Sequence, residues 1–492
     1  SCDWSSDVCS SDLGLSISVV KNAIYKVIRA ASADDLGQHI VVQGGTFLND
    51  AVLRSFELEI GREVTRPTIS GMMGAYGAAL AAKDAGLTQS TLLSAEALAS
   101  FTHEARPATC KLCTNHCSLT INRFDGGRKF ISGNRCSRPL GQEKVDIPDL
   151  LKFKYQYLRS LQGKGEGDGS RGKIGIPFGL NMYENLPFWF TLFTTLNFEV
   201  VLSPESTRSL YLKGQQTIPS DTVCYPAKLL HGHIMALLEE GVDTIFYPCM
   251  SYNFDEHLSD NHYNCPVVAY YPDLLGVNIP ALEDIKYLHP NLGLHRPKDF
   301  EKKGAQLLET EFGIPKRASV KAIRKAYAVY EDFRRLVQKK GEEYISFARE
   351  TGRKILVVAG RPYHMDPEIN HGINDLITSF GFVLITEDAV FQHMDKQPRR
   401  VLNQWTYHAR MYNAARYVCT QPDMAFIQLV SFGCGVDTIT TDEHRSILEE
   451  AGELYTQLKI DDISNLGAVK IRIRSLMAAL DARDAQNQKG GQ

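Results

Sequence analysis

The sequence predicts an α/β protein in which two stretches with the same strand–helix–strand pattern form separate parallel sheets. KIGIPFGLNMYENLPFWFTLFTTLNFEVVLS starts at Lys173, and KILVVAGRPYHMDPEINHGINDLITSFGFVLITED starts at Lys354. A strand, a crossover helix and a second, parallel strand form the repeating unit of doubly wound sheets. We therefore expect two Rossmann-like halves over residues 172–299 and 353–482, joined by a charged helical connector over residues 300–352.

The composition excludes several classes of function. Among 492 residues, 54 Lys and Arg face 57 Asp and Glu, and the formal net charge is −3. Such a balance provides no general attraction to nucleic acid or to anionic lipid, so we expect neither as a partner. No apolar run approaches the roughly 20 residues that a membrane span needs. No signal peptide is recognisable either, and these features together predict a cytoplasmic protein.

The chain has eleven cysteines, more than packing requires. In a reducing compartment, clustered thiols are more often metal ligands or redox groups than disulfides. Residues 91–162 are expected to form a small cysteine knuckle and its connection, with a β-hairpin that turns at residues 125–127. Four thiolates that meet at one point suit tetrahedral zinc or an iron–sulfur cubane equally well, so the metal stays open. The four ligands of this first site would be Cys110, Cys113, Cys117 and Cys136.

Further cysteines lie at predicted strand ends or helix starts in the two halves. In an open α/β sheet, ligands bind in the crevice outside the carboxyl ends of the strands, so distant cysteines can meet there. Any one of them alone would more often be a small buried side chain, but four with this placement favour a cluster. Cys419 is predicted to be an ordinary core residue. The second site would use Cys224, Cys249, Cys265 and Cys434.

Several polar side chains near these cysteines allow either a functional or a structural role. His231 and His233, at a helix opening, are expected to cap and solvate that helix. The neighbouring lysine either favours a thiolate or lies on the surface. The other three residues lie in a loop that is predicted to be a structural turn rather than a site for phosphate or carboxylate. These residues are His231 and His233, Lys228, and Arg361, His364 and His371.

Residues 14–90 show helix, strand, turn and helix patterns. Apolar spacing predicts a helix over residues 16–31, and IVVQGG predicts a buried strand that ends at Gly44 and Gly45. Asn49 is expected to open a second helix, and SGMMGAYGAALAAKDAG to form a third. GKGEGDGSRG, at residues 163–172, is predicted to be a flexible linker.

GGTFLNDAV and RPTISGMMGAYGAAL resemble the last part of an acyl-CoA dehydratase activase, an ATPase of the sugar-kinase/actin superfamily. The resemblance implies that residues 14–90 are the C-terminal part of such an ATPase domain, with Gly44, Gly45 and Asn49 near the nucleotide. Residues 1–13 resemble a translated sequencing adapter. We therefore expect the phosphate loops to lie upstream, so that ATP and Mg²⁺ bind the full-length protein while this fragment cannot hydrolyse ATP.

CYPAKLLHGH, GVDTIFYP, GRPYHMDPEINHGI and LVSFGCGVDT resemble the cluster-carrying subunits of 2-hydroxyacyl-CoA dehydratases, in a variant fused behind an activase and related to double-cubane cluster proteins. This resemblance covers residues 172–480 and implies a [4Fe-4S] or larger cluster held by cysteines of both halves. Cys224, Cys249 and Cys434 would be its ligands. Cys265 would complete the ligand set or belong to a larger cluster.

The resemblance implies ATP-coupled electron transfer at very low potential to a cluster that supports a dehydration or another difficult reduction. An acyl-CoA or another small molecule would be the substrate, ferredoxin or flavodoxin the electron donor, and a homodimer the assembly. No residue stands out as the acid or base of a dehydration, which favours a reductase or electron donor. The alternative is a non-catalytic scaffold that binds zinc at the first site and a structural cluster at the second. Residues 483–492 are expected to be a disordered tail.

Overall fold

The fold is described from a computed structural model of the chain. It consists of two compact units, Ser1–Phe101 and Thr102–Gln492, each with its own hydrophobic core. The residues that the structure describes are 4–28, 32–86, 89, 92–111, 118–133, 147–397, 402–431, 434–460 and 466–490.

The first unit is helical over the part that the structure describes. Val20 and Ile24 pack against Val52 and Phe56 in its small core. The expected strand IVVQGG contributes only an isolated bridge between Val41 and Thr65, because a two-segment pair without further strands is marginal in water. The helices are α1 (Trp4–Lys21), continued by the π-helix Asn22–Ile28, then α2 (Asp50–Ile60), α3 (Met73–Asp84) and α4 (Ala95–Ala99).

The second unit begins with a three-stranded antiparallel sheet. Its strands are β1 (His103–Thr109), β2 (Ser118–Phe124) and β3 (Lys129–Ser132), in the order β1-β2-β3. The turn at Asp125–Gly127 joins β2 to β3, where the sequence predicts a hairpin. Gly133 directly follows β3 and has φ +81°. A Cβ at this position would lie 2.2 Å from the carbonyl oxygen of Ser118. Glycine is therefore required where the end of β3 meets the start of β2.

The first parallel sheet has the strand order β5-β4-β6-β7. Apolar side chains of its strands and helices, with Trp189 and Phe246 among the fully buried ones, form its core. Its elements are β4 (Lys173–Ile176), α6 (Met182–Thr195), β5 (Glu199–Leu202), α7 (Arg208–Gly214), α8 (Tyr225–Glu239), β6 (Thr244–Phe246), α9 (Pro266–Asn278) and β7 (Lys286–Leu288).

The second parallel sheet has the order β11-β10-β8-β9. Numbered along the chain within each half, both sheets read 2-1-3-4, so the predicted repeat of two parallel α/β halves is confirmed. Its elements are β8 (Ile355–Ala359), α12 (Pro367–Asn370), α13 (Ile373–Ser379), β9 (Val383–Thr386), α14 (Thr406–Cys419), β10 (Met424–Ser431), α15 (Gly435–Glu450) and β11 (Tyr455–Ile460).

Four further helices surround the two sheets. Helix α16 extends to Gly490, so residues 483–490 of the predicted disordered tail are helical, while residues 491–492 lie outside the described residues. The long helix α11 buries one face at three-to-four spacing, as an amphipathic helix does. The four are α5 (Leu150–Arg159), α10 (Pro297–Phe312), α11 (Lys316–Glu350) and α16 (Leu466–Gly490). Short 3-10 helices occupy Ala33–Leu36, Gly45–Leu48, Ser70–Met72, Asp125–Gly127, Gln215–Thr217, Pro280–Leu282, Pro362–Met365, Glu387–Ala389 and Phe391–His393.

Residues 163–172, expected to be a flexible linker, are mostly exposed but lie against the rest of the second unit at some of their glycines. A Cβ at Gly165 would lie 2.6 Å from a methyl group of Thr194, and one at Gly167 would lie 2.7 Å from the carbonyl oxygen of Phe198. The glycines of this stretch allow the backbone to approach the turn between α6 and β5 closely. They serve packing rather than mobility.

Helix α5 precedes the first sheet along the chain but packs on the second. The Leu384 N–H donates to the Pro148 carbonyl at 3.0 Å, and Lys154 Nζ pairs with Asp388 Oδ2 at 2.7 Å. The two halves are therefore interleaved in sequence.

Among the described residues, none of the helices combines the length and the apolar character that a membrane-spanning helix requires.

Candidate metal centre at the strand ends

Three cysteines of the second unit each occupy the N-cap of a helix. Cys224 precedes α8, Cys265 precedes α9 and Cys434 precedes α15. Proline in the first turn of α8 and of α9 fits this placement, because the first helical residues need no N–H donor. A helix N-terminus carries a partial positive charge, which favours a thiolate over a thiol.

These thiols lie close enough to influence one another's ionisation. Burial raises the pKa of Cys224 to about 11, and the neighbouring Cys265 and Cys434 contribute in the same direction. Burial also raises the pKa of Cys265, again with a contribution from Cys434, while Arg361 acts against both shifts. We call Cys224, Cys265 and Cys434 the three-thiol site.

The repeat places two of the three thiols at equivalent positions. In each half the third strand, β6 or β10, leads into a helix whose N-cap is cysteine, Cys265 in the first half and Cys434 in the second. Sequence reasoning ranked Cys265 behind the other ligands. The signal that could have found it is the Cys-Pro pair that opens α9, which matches the Cys-Tyr-Pro start of α8.

Arg361 joins the three-thiol site from the carboxyl end of β8. Its Nη1 donates to Cys434 Sγ at 3.4 Å, and its Nη2 donates to Asp437, which also accepts from the Ser431 N–H at 2.8 Å. Strands β8 and β10 flank the point where the strand order reverses, the usual ligand position in such sheets. Arg361 is only 5% exposed. Its loop, expected to be a structural turn, therefore contributes a side chain to the site.

The charges around Arg361 are mutually compensated. Burial alone would lower the pKa of Arg361, but Asp437 and the nearby thiolates hold it well above its ordinary value. Burial would likewise raise the pKa of Asp437, but Arg361 and then His408 outweigh it and hold that pKa below its usual range. A guanidinium that stays charged beside sulfur stabilises anionic ligands.

Two buried histidines next to Arg361 have unpartnered ring nitrogens. The Arg361 N–H donates to His364 Nδ1 at 3.0 Å, and burial lowers the pKa of His364 to about 3. His364 is therefore neutral with its proton on Nε2. That Nε2 and His408 Nδ1 have no hydrogen-bond partner among the described residues, while His408 Nε2 faces Asp437 Oδ1 at 3.8 Å, beyond hydrogen-bond distance. Orphaned buried donors of this kind fit a site that accepts a further group.

The polar contacts of Cys249, predicted as a member of the same ligand set, are to a carboxylate rather than to a thiol. Its Sγ donates to Asp273 Oδ1 at 3.4 Å, and His289 Nδ1 is 2.8 Å from the same oxygen. Burial raises the pKa of Cys249 to about 12, and the next largest contribution comes from Asp273 rather than from another thiol. The backbone after Cys249 also contacts the residue before Cys265, since the Asn264 N–H donates to the Ser251 carbonyl at 2.9 Å, and the membership of Cys249 in the second ligand set stays a prediction.

The first predicted site falls largely on residues that are not described. Cys110 follows β1 and is buried against Leu119 and Ile131. Thr109, at the end of β1, pairs with Ser118, at the start of β2. Ser132, at the end of β3, pairs with Thr120 near the same start of β2. The end of β1, the start of β2 and the end of β3 therefore lie at one end of the sheet. The other three cysteines, Cys113, Cys117 and Cys136, lie outside the described residues.

The predicted nucleotide residues lie at the start of α2. Gly44 has φ +103°, and the Asn49 side chain accepts a hydrogen bond from the Ala51 N–H at 2.9 Å as the N-cap of α2. Asn49 opens a helix as predicted. The role of Gly44, Gly45 and Asn49 in nucleotide binding stays a prediction.

The two histidines of α8 are core residues, contrary to the expectation that they cap and solvate the helix. His231 Nδ1 lies 2.7 Å from Thr217 Oγ1 and its Nε2 3.0 Å from the Tyr271 hydroxyl, while His233 lies between Ser203 and Ser206. Burial lowers the pKa of His231 to about 4 and that of His233 to about 3, so both are neutral.

The remaining predicted polar residues are also buried or partly buried. Lys228 lies in the first turns of α8 and is 5% exposed, so it is not a surface lysine. The His371 ring stacks on that of Tyr225, 6.4 Å between centroids, which brings the Arg361 loop against the residue after Cys224. Cys419 ends α14, where its Sγ donates to the Ala415 carbonyl at 3.2 Å. It packs against the core, as predicted.

The spacing of the thiols decides which metal group they suit. Ligands of one zinc ion lie within about 4.6 Å of each other, because each Zn–S bond is about 2.3 Å. Among the described residues, the metal-type group whose ligand atoms all lie within 4.8 Å of one another is Cys249, Asp273 and His289. The three-thiol site is wider than that. Cysteines that bind different iron atoms of one cluster stand farther apart, so this site suits a cluster better than a single ion.

Fold and site together define a class of protein: two parallel α/β halves with a partly buried thiolate site at the carboxyl ends of their strands. Residues 173–390, less than half of the chain, match the family model described as CoA enzyme activase uncharacterised domain (DUF2229). The match spans the first half, the connecting helices and the first two strands of the second half. No curated protein is significantly similar to this chain.

Proposed function

We propose that the chain carries an iron–sulfur cluster at the three-thiol site and takes part in the activation of a CoA-dependent enzyme by low-potential electron transfer. The observation that carries the proposal is the meeting of Cys224, Cys265 and Cys434, each at a helix N-terminus. The match of residues 173–390 to a CoA enzyme activase domain supports the choice of system.

The residues present fit such a cluster in their chemistry. Thiolates are its preferred ligands, and three helix N-termini offset the negative charge that thiolates and sulfides accumulate. At one of the three helices a first-turn amide points at sulfur: the Val268 N–H donates to Cys265 Sγ at 3.4 Å. When bound, an iron–sulfur cluster supplies one-electron chemistry at a potential set by its ligands, hydrogen bonds and exposure.

The chain's own residues then have distinct tasks. The three cysteines hold the metal, and the raised pKa values of Cys224 and Cys265 mean that metal binding there must displace thiol protons. Arg361 fixes Cys434 and contributes a positive charge, while Asp437 holds Arg361 in place. ATP, an acyl-CoA substrate, a ferredoxin or flavodoxin donor and a homodimer belong to the proposal through the resemblance alone.

The test is anaerobic purification followed by iron and sulfide analysis and electron paramagnetic resonance of the reduced protein. For a cubane we expect acid-labile sulfide, at least about four iron atoms per chain and an electron paramagnetic resonance signal from the reduced cluster. A colourless protein that contains zinc but no sulfide would contradict the proposal.

Replacing Arg361 by glutamine is expected to lower the midpoint potential of the cluster, on the order of tens of millivolts. The guanidinium lies 3.4 Å from a ligand sulfur and favours the reduced, more negative cluster. A redox titration followed by electron paramagnetic resonance measures the shift. Arg361→Lys keeps the charge and should recover most of the potential, whereas an unchanged midpoint in Arg361→Gln would contradict the role.

A further inference from the structure

Cys249, Asp273 and His289 form a second group of metal-type ligands outside the three-thiol site. All three ligand atoms lie within 4.8 Å of one another: Cys249 Sγ, a carboxylate oxygen of Asp273 and a ring nitrogen of His289. Cys249 Sγ lies 3.4 Å from Asp273 Oδ1, and His289 Nδ1 lies 2.8 Å from the same oxygen. Zn–S, Zn–N and Zn–O bonds of about 2.0–2.3 Å require spacings in this range.

The three side chains come from three different elements that are firmly held. Cys249 follows β6, and its backbone pairs on both sides with the segment after His289: its N–H donates to the Pro290 carbonyl at 3.0 Å, and the Leu292 N–H donates to its carbonyl at 3.1 Å. Asp273 lies in the middle of α9, and His289 follows the end of β7. Such anchoring fixes the ligands before a metal binds.

An aromatic side chain supports the histidine. The Tyr287 ring stacks on that of His289, with 4.8 Å between centroids, and the Tyr287 hydroxyl donates to the Pro272 carbonyl at 2.8 Å. Tyr287 therefore spans from β7 to α9 and holds the ring beside Asp273. Supporting contacts of this kind orient the ligands of metal sites.

The group is reached from solvent. The side chains of His289 and Asp273 are 40% and 49% exposed, while Cys249 is buried beneath them. An ion here would have an entry route and room for a water molecule.

We propose that Cys249 Sγ, Asp273 and His289 Nδ1 bind a single divalent zinc-type ion, with the remaining position open to water. A borderline-soft ion suits this donor set, because thiolate, imidazole and carboxylate are the ligands that zinc takes in proteins. Binding replaces the thiol proton of Cys249, which passes to solvent, and involves no redox change.

The test is titration of the anaerobically purified full chain with Zn²⁺ against a chromophoric indicator, and with Co²⁺ followed by absorption. We expect His289→Gln and Asp273→Asn each to bind one equivalent of zinc fewer than the unchanged chain. The cobalt complex should show a near-ultraviolet sulfur-to-metal band that Cys249→Ser loses. His257→Gln, at a histidine whose side chain is 87% exposed, and Cys419→Ser are the matched controls and should behave like the unchanged chain.

Two results would overturn the proposal. One is equal zinc uptake by the unchanged chain and His289→Gln, whose exposed position allows the variant to fold. The other is loss of cluster iron in Cys249→Ser with zinc uptake unchanged, which would assign Cys249 to the cluster. Iron content and far-ultraviolet circular dichroism, measured on the same samples, separate metal loss from misfolding.

Discussion

Replacing Cys434 by serine is expected to remove iron from the three-thiol site while metal bound elsewhere in the chain stays in place. The hydroxyl of serine is a hard, weakly acidic donor and does not substitute for a thiolate on iron. The change also removes the sulfur that accepts from Arg361 Nη1. Because three thiols define the site, the loss of one should abolish stable cluster binding rather than weaken it slightly. Iron and sulfide per chain after anaerobic reconstitution measure the effect.

Cys419→Ser is the matched control for this experiment. Cys419 is a partly buried cysteine at the end of α14 whose sulfur contacts helix backbone rather than another thiol. Its variant should keep the iron content of the unchanged protein. Iron that persists in Cys434→Ser would exclude Cys434 from the ligand set and would leave the equivalence of Cys265 and Cys434 without functional meaning.

Replacing Arg410 by methionine is expected to cost about 3–5 kcal/mol of unfolding free energy, because it leaves a buried carboxylate uncompensated. Arg410, on α14, donates to Glu184 on α6 at 2.7 and 3.1 Å and to Glu256 at 2.6 and 2.8 Å. Tyr330 of α11 donates to the same Glu184 at 3.0 Å. The network joins both halves and the long helix. Burial would raise the pKa of Glu184, but Arg410 holds it below its ordinary value, so the carboxylate is charged.

Urea unfolding followed by tryptophan fluorescence measures this loss, since Trp189 and Trp405 both lie in the second unit. Arg349→Met serves as control. Arg349 makes a comparable two-point contact with Asp423, but its side chain is 48% exposed. Exposed pairs contribute at most about 1 kcal/mol, so the control should shift the transition little. If Arg410→Met and Arg349→Met lowered the free energy of unfolding by similar amounts, the Arg410 network would contribute no more stability than an exposed ion pair.

The parts of the fold that depend on local pattern could be predicted. The paired Lys-led strands, the turn at Asp125–Gly127 and the helix that Asn49 opens all follow from residue spacing over a few turns. The flexible linker could not, because GKGEGDGSRG has the composition of a mobile segment but the close approach of residues 194 and 198 fixes it. Composition reports what a backbone can do, and packing decides which of those conformations it adopts.

The site shows the same division. Cysteines at helix starts and strand ends are visible in the sequence, and their number favours metal or redox roles. Which thiols meet depends on strand order and on the packing of one half against the other, and these contacts join residues far apart in the chain. Only the tertiary structure places Cys265 near Cys434 and gives Arg361 a sulfur partner. It also places Cys249 beside Asp273 and His289. The sequence by itself determined two parallel α/β halves rich in ligand-type thiols, because strand and helix periods are local properties. The tertiary structure decided which side chains lie beside each thiol, because such contacts depend on distances between residues far apart in the chain.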